Sequence, residues 1–248
     1  MIISVFSPVW YAVMGGYVLC ILVLTALLKN KSREKKLLVM EILSIASCVW
    51  WIIYKVILYT DPQYEFILAN ELPLYLCNIA LPVSVFAAKK DSRVLQSFLF
   101  YGCTLGALMA CLTPAEEFCN VPLYLPRCIC YWGCHGMVFV LGIGFVTCGL
   151  CRPRIRDIGW TCLLLLCVAV LDHVCNALLR ATVSETANYS YTYGIEGNPV
   201  CELLMKLIPV PCLYLVPAVI PLSVVNVLMY LLTRIGKKKE LSTAKTGK

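Results

Sequence analysis

The protein has 248 residues, of which 60% are hydrophobic and 14% charged, with mean hydropathy +0.82 and a formal net charge of +7. Soluble domains are roughly half apolar and a quarter charged, so this composition excludes an ordinary soluble globule. The charges fall in short clusters between long apolar runs, the pattern of a polytopic helical membrane protein.

Seven apolar runs emerge when the chain is cut at charges and prolines: 9–28, 37–59, 72–88, 94–113, 128–150, 158–180 and 207–233. Each is close to the ~20 residues that cross ~30 Å of hydrocarbon. Backbone groups in lipid must bond within their own segment, so the runs are expected to be helices. The first run lacks a basic segment before it, so it reads as a retained helix and not as a cleaved signal. The expected fold class is all-α, a bundle of seven transmembrane helices in one domain over 1–236, followed by a basic tail over 237–248.

The basic residues are split unevenly. Lys29, Lys31, Arg33, Lys35 and Lys36 follow the first run, Lys89, Lys90 and Arg93 the third, and Arg152, Arg154 and Arg156 the fifth. The tail adds Arg234, Lys237, Lys238, Lys239, Lys245 and Lys248. Only Arg127, Arg180 and Lys206 occupy the other connections, and Lys55 stands inside a run. The positive-inside rule then predicts an outer N-terminus and a cytoplasmic C-terminus. This asymmetry accounts for the net charge and requires no nucleic-acid partner.

The acidic residues Asp61, Glu65, Glu71, Glu116, Glu117, Glu185 and Glu196 fall on the predicted outer side. The longest outer connection, 181–206, is expected to fold over the bundle. Its Tyr189, Tyr191 and Tyr193 read first as interfacial anchors.

The third run opens with ELPLYLCNIALP at 71–82, an apolar stretch that holds a glutamate, a cysteine and an asparagine. Cys77 is predicted about 7–8 Å below the outer end of its helix, by the 1.5 Å rise per residue. The same rise puts His135 about 10 Å deep, and Asp172, His173 and Asn176 within roughly 6–12 Å of the same surface. Lys55 is one turn from the outer end of the second run. Ionisable groups in hydrocarbon cost about 2.5–3.5 kcal/mol each and tend to find partners in the bundle interior. Lys55 with Asp172 is the expected pair, in a structural polar cluster that includes His173. Asp172 and Asn176, and His173 and Asn176, share helix faces.

A cysteine and a histidine at one depth suit nucleophile and base. Acyl transfer on a membrane lipid, whose ester lies at that level, is the matching chemistry. The competing reading is a polar clamp between helices, or a non-enzymatic transporter or binding protein that uses the same outward-facing pocket. Gly142, Gly144, Pro209, Pro211, Pro217 and Pro221 are candidate break points for a transporter. No short ligand spacing points to a metal, and no cofactor is expected. Most of the sixteen cysteines lie in apolar runs and read as packing residues. CGLC at 148–151 has redox spacing but sits at a helix end without a βαβ context. Cys119 and Cys201 share a predicted side, and their pairing is left open. Nothing in the sequence sets an oligomeric state.

Four blocks carry a resemblance. LPLYLCNIA at 72–80 resembles the PLHLC signature of YwaF-like bacterial integral membrane proteins. GALMACLTP at 106–114, YWGCHGMVFVLG at 131–142 and the block at 176–215 are similar to further segments of that family, in the same order. The resemblance implies a multispanning bundle in a bacterial cytoplasmic membrane, and a remote similarity to eukaryotic transmembrane protein 164, associated with cysteine-dependent acyl transfer on ether phospholipids. There the cysteine follows the proline directly and a histidine comes next; here Leu74 and Tyr75 hold those positions and the thiol comes one turn later. Read together with this resemblance, the site assigns Cys77 and His135 to catalysis and Tyr75, Asn78, Asn176, Asn188 and Tyr189 to substrate binding.

Overall fold

The computed structural model describes the backbone of residues 1–195 and 199–246 and the side chains of 1–195 and 200–234. Glu196 and the side chains of the basic tail from Lys237 lie outside these described residues. Helices dominate, in the order α1 (Pro8–Leu28), α2 (Arg33–Thr60), α3 (Leu76–Lys89), α4 (Arg93–Phe98), α5 (Thr104–Leu112), α6 (Pro126–Thr147), α7 (Arg156–Thr182), α8 (Pro199–Leu207) and α9 (Val219–Thr246). Among the described residues the one addition to an all-α reading is a two-residue ribbon, with β1 (Ile2–Ile3) antiparallel to β2 (Val121–Pro122).

Among the described residues, six helical segments are long and apolar enough to cross a bilayer: Pro8–Leu28, Arg33–Thr60, Arg93–Leu112, Pro126–Thr147, Arg156–Thr182 and Leu213–Arg234. The chain is an all-α polytopic membrane bundle. The third expected run differs from its prediction. Helix begins at Leu76, not near 72, and α3 has 14 residues, about 21 Å at the α-helical rise. Leu72 to Tyr75 form an irregular approach to it, because a proline at 73 and an extended Tyr75 precede the first turn.

Local chemistry explains the helix ends. Ser7 caps α1 by accepting from Trp10 N–H at 3.2 Å, with Pro8 in the first turn. Ser32 caps α2 in the same way through Lys35 N–H. Helix α6 stops at Gly149, whose φ of +77° is the left-handed conformation that glycine adopts freely. The N–H of Leu150 then returns to the Phe145 carbonyl at 3.0 Å. CGLC at 148–151 is therefore a helix terminator, with Cys148 and Cys151 both buried. Cys119 is a free thiol, so no bridge joins it to Cys201.

The span Arg93–Leu112 is interrupted by a π turn, Leu99–Cys103, between α4 and α5. It packs on α6 where Gly142 has no room for a side chain: an added Cβ would lie 2.1 Å from Thr104 Oγ1 and 2.8 Å from the Leu99 carbonyl oxygen. Gly142 and Gly144 thus serve close packing within a continuous α6 and do not break it. The expected break near Pro209, Pro211 and Pro217 does occur. The last run starts where α8 ends, at Leu207, and passes through non-helical residues 208–212 and a 3₁₀ segment over Leu213–Ala218 before α9, whose first turn contains Pro221 without a break.

Helix α6 is the hub, packed against α1, α2, α5 and the π turn, while α7 packs against α4 and α9. The two ends of the bundle are tied by different polar contacts. At one end Arg33 makes a bidentate pair with Asp91 and also donates to the Leu150 carbonyl at 3.0 Å. Arg93 pairs with Asp157 there. At the other end Arg127 donates to Asp61 Oδ2 at 2.7 Å, and Trp10 Nε1 donates to the Cys111 carbonyl at 2.9 Å.

Candidate functional site

The segment before α3 folds back over the end of α2. This brings Glu71 to Lys55, with Nζ 2.5 Å from Oε2. The other carboxylate oxygen of Glu71 accepts from the Tyr64 hydroxyl at 2.6 Å. Lys55 also sits over the rings of Tyr54 and Trp51, at 5.3 and 5.7 Å from their centroids. The expected Lys55–Asp172 pair is therefore corrected. Asp172 lies on α7, whose main neighbours are α4, α9 and the 189–191 turn, and a nearer carboxylate is delivered by the loop. Asp172 instead accepts from the Ser190 hydroxyl, and its Oδ1 has no partner among the described residues.

Cys77 occupies the first turn of α3 and donates its thiol proton to Asn78 Oδ1, with sulfur 3.6 Å from oxygen. Its electrostatic neighbours are Lys55 of α2, Cys103 of the π turn, and Tyr131 and Cys134 of α6. The thiol therefore belongs to the junction of α2, α3, α6 and the π turn. His135 is buried on α6, its ring centroid 4.3 Å from that of Tyr131. Its Nδ1 lies 2.8 Å from the Tyr131 carbonyl oxygen. A carbonyl only accepts, so Nδ1 carries the proton and Nε2 keeps its lone pair. The charge of Lys55 reaches His135 as well as Cys77. No direct hydrogen bond joins the thiol to the imidazole among the described residues.

The remaining expected site residues form the frame of this junction. Asn176 uses its whole amide on one loop: Nδ2 donates to the Tyr189 carbonyl and to Thr192 Oγ1, both at 2.9 Å, and Oδ1 accepts from Tyr189 N–H at 2.8 Å. Asn188 accepts from the N–H groups of Tyr193 and Gly194 and donates to the Gly194 carbonyl. Tyr189 is buried, not an interfacial anchor. Its hydroxyl donates to the Ala69 carbonyl and accepts from Leu72 N–H, each at 2.8 Å. Tyr75 packs its ring 4.7 Å from that of Tyr189. His173 stands apart from the Cys77 group, stacked 4.5 Å from the Tyr193 ring, with its Nδ1 buried and unbonded among the described residues. Arg180 covers Tyr193 at 5.1 Å.

Sequence reasoning missed Glu71 as the partner of Lys55, and missed Ser190 and Thr192. Glu71 did carry a signal, as the acid that immediately precedes an apolar helix. Ser190 carried none, because its contact depends on a left-handed backbone at Ser190 and Tyr191. No group of three or more His, Cys, Asp or Glu side chains among the described residues is arranged to hold a metal ion.

A bundle of long apolar helices with a polar junction near one end defines the chain as a multi-pass membrane protein, consistent with a bacterial cytoplasmic-membrane location. It belongs to the TMEM164 family, which it matches over residues 5–230. No curated protein and no solved structure gives a significant match.

Proposed function

We propose that the protein is a membrane-embedded enzyme of lipid acyl chemistry, with Cys77 as nucleophile and His135 as base. The observation that supports this reading is that α3 and α6, which carry Cys77 and His135, pack against each other and against α2, which carries Lys55. Cys77 lies in the first turn of α3, near unpaired N–H groups and the positive end of the dipole, but burial opposes a thiolate, so the reading depends on transfer of the proton to His135. Nε2 of His135 is available to take the thiol proton. The sulfur would attack an ester carbonyl of a membrane lipid, and the alcohol would leave with the proton returned from the imidazolium. The resulting thioester would pass its acyl group to a second hydroxyl, and the thiol would be regenerated. Asn176, Asn188 and Tyr189 would act by holding the loop that roofs the junction, and Tyr75 and Asn78 would border the substrate.

Labelling with an acyl-like electrophile in lipid, followed by mass spectrometry, tests this. Cys77 should label in preference to the other cysteines and lose that preference in His135→Ala. An unmodified Cys77, or equal labelling without the histidine, would sink the enzymatic reading and favour a transporter or binding protein.

The topology proposed with it has seven spans, α3 and its approach forming the short one, with the N-terminus outside and the C-terminus in the cytoplasm. The basic asymmetry supports it. The domain reading is one membrane unit over 1–236 with a basic tail. A reporter active only in the cytoplasm should work at the C-terminus and be silent after Glu117; the reverse pattern would overturn the orientation.

A further inference from the structure

A cavity lies away from the Cys77 junction, on the side of the bundle formed by α1, α2 and α6. It is a groove of about 600 Å³, lined by apolar residues that include Leu24 and Leu27 of α1, Leu43 and Ala46 of α2, and Met137 and Val140 of α6. Small residues open it. Gly133 lies under Trp50 and Gly136 under Tyr17, where an added Cβ would stand 2.8 and 2.2 Å from the nearest ring atoms. The polar groups on its wall are spent internally: Tyr17 donates to the Trp132 carbonyl at 2.6 Å and Ser47 to the Leu43 carbonyl at 2.8 Å. A dry groove in this band is suited to hydrocarbon and to nothing that needs a hydrogen bond.

Its length and its end are specific. From Tyr17 to Leu27 the α1 wall runs about 15 Å at the helical rise, half of the ~30 Å hydrocarbon core and so the depth of one leaflet. Cys20, Val23, Leu24 and Leu27 share one face of α1, which ends at Leu28, and the connection to α2 that follows carries Lys29 and Lys31. The α2 stripe runs back from Ser47 through Leu43 and Val39 to Lys36 and Lys35. Both walls thus end in cations at the α1–α2 connection. Lys36 donates to the Cys148 carbonyl and Arg33 is taken by Asp91, while Lys31 and Lys35 are exposed and in no salt bridge among the described residues. Glu34 and Glu41 are the acids of this region, outnumbered by its lysines.

We infer that this groove is a binding site for one anionic glycerophospholipid, with an acyl chain between α1, α2 and α6 and its phosphate at Lys31 and Lys35. The site is separate from Cys77 and stands whether or not the acyl-transfer reading does. Each lysine near an anionic headgroup contributes about fivefold in affinity.

The test uses the full-length protein in nanodiscs that contain a trace of phosphatidylglycerol or phosphatidylcholine, each with the same diazirine-bearing acyl chain. After irradiation, labelled peptides are quantified by mass spectrometry. Phosphatidylglycerol should label the peptides of 17–27 and 133–141 in preference to those of α9, and phosphatidylcholine should not. Lys31→Gln with Lys35→Gln should reduce that preference about 25-fold. Ala46→Trp or Val23→Trp, each filling the groove from an exposed position, should abolish it, while Cys77→Ala should leave it intact. Equal labelling by the two lipids would overturn the proposal, as would even labelling around the bundle. Loss of labelling that tracks dimer formation would also overturn it, by giving the groove to a second copy of the chain.

Discussion

Lys55 and Glu71, sixteen residues apart, meet at 2.5 Å over the end of α2, with side chains only 18% and 9% exposed. The pair ties an irregular loop to a helix in a place where neither charge is well hydrated. Lys55→Met alone leaves the Glu71 carboxylate with the Tyr64 hydroxyl as its remaining partner. The expected loss is about 3 kcal/mol, the low end for breaking a buried pair.

A double-mutant cycle checks the partner assignment. Lys55→Met with Glu71→Leu should recover much of the melting temperature lost in Lys55→Met. Lys55→Met with Asp172→Leu should show losses that add, because the two residues share no contact. A positive coupling to Asp172 in place of Glu71 would contradict the structure.

Tyr189→Phe removes one hydroxyl that serves two buried backbone groups, the Ala69 carbonyl and the Leu72 N–H. Leaving such groups unbonded costs about 1–3 kcal/mol. Hydrogen exchange should therefore rise at Leu72 and across 68–75, next to Cys77. Tyr193→Phe is the control, since its ring stacks on His173 and its hydroxyl has no bond among the described residues. Equal exchange in the two variants would show that the phenol of Tyr189 does not tether the segment.

Asp61 supplies a pH dependence. The Arg127 guanidinium, and next the Gln63 N–H, hold its carboxyl below the ordinary 3.8. The folded state thus favours the ionised form. Its contribution is fully present above the unfolded value of about 3.9 and is lost as pH falls through the lower folded value. Wild type should exceed Asp61→Asn in melting temperature near neutrality, and the gap should close as the solution is acidified below about pH 4. A gap that stays constant to low pH would mean that the difference does not come from the ionised Asp61 carboxylate.

Much of this architecture was legible without coordinates. The spans at Pro8–Leu28, Pro126–Thr147 and Arg156–Thr182 were apparent because lipid demands about twenty apolar residues with internally bonded backbone. The proline-rich break before α9 was legible too, since proline removes a helix donor. Helical rise misplaced Cys77: counted from residue 72 it lay about 7–8 Å into its helix, but the helix begins at Leu76 and Cys77 occupies its first turn, because Pro73 and the extended Tyr75 keep the approach irregular.

Partners were a different matter. Depth does not tell which way a helix face turns, and an all-apolar helix has no periodicity to reveal it. Asp172 and Lys55 matched in level and sign, yet the tertiary structure turns α7 towards Ser190 and gives Lys55 to Glu71. The same applies to Asn176, whose amide closes a loop. In ELPLYLCNIALP the glutamate anchors the loop and the asparagine receives the Cys77 thiol proton. The sequence by itself determined which segments are long and apolar enough to cross a membrane, because that is a property of each segment alone. Only the tertiary structure decided which polar groups meet, because that depends on helix rotation and on loops whose backbone bonds are made across long separations.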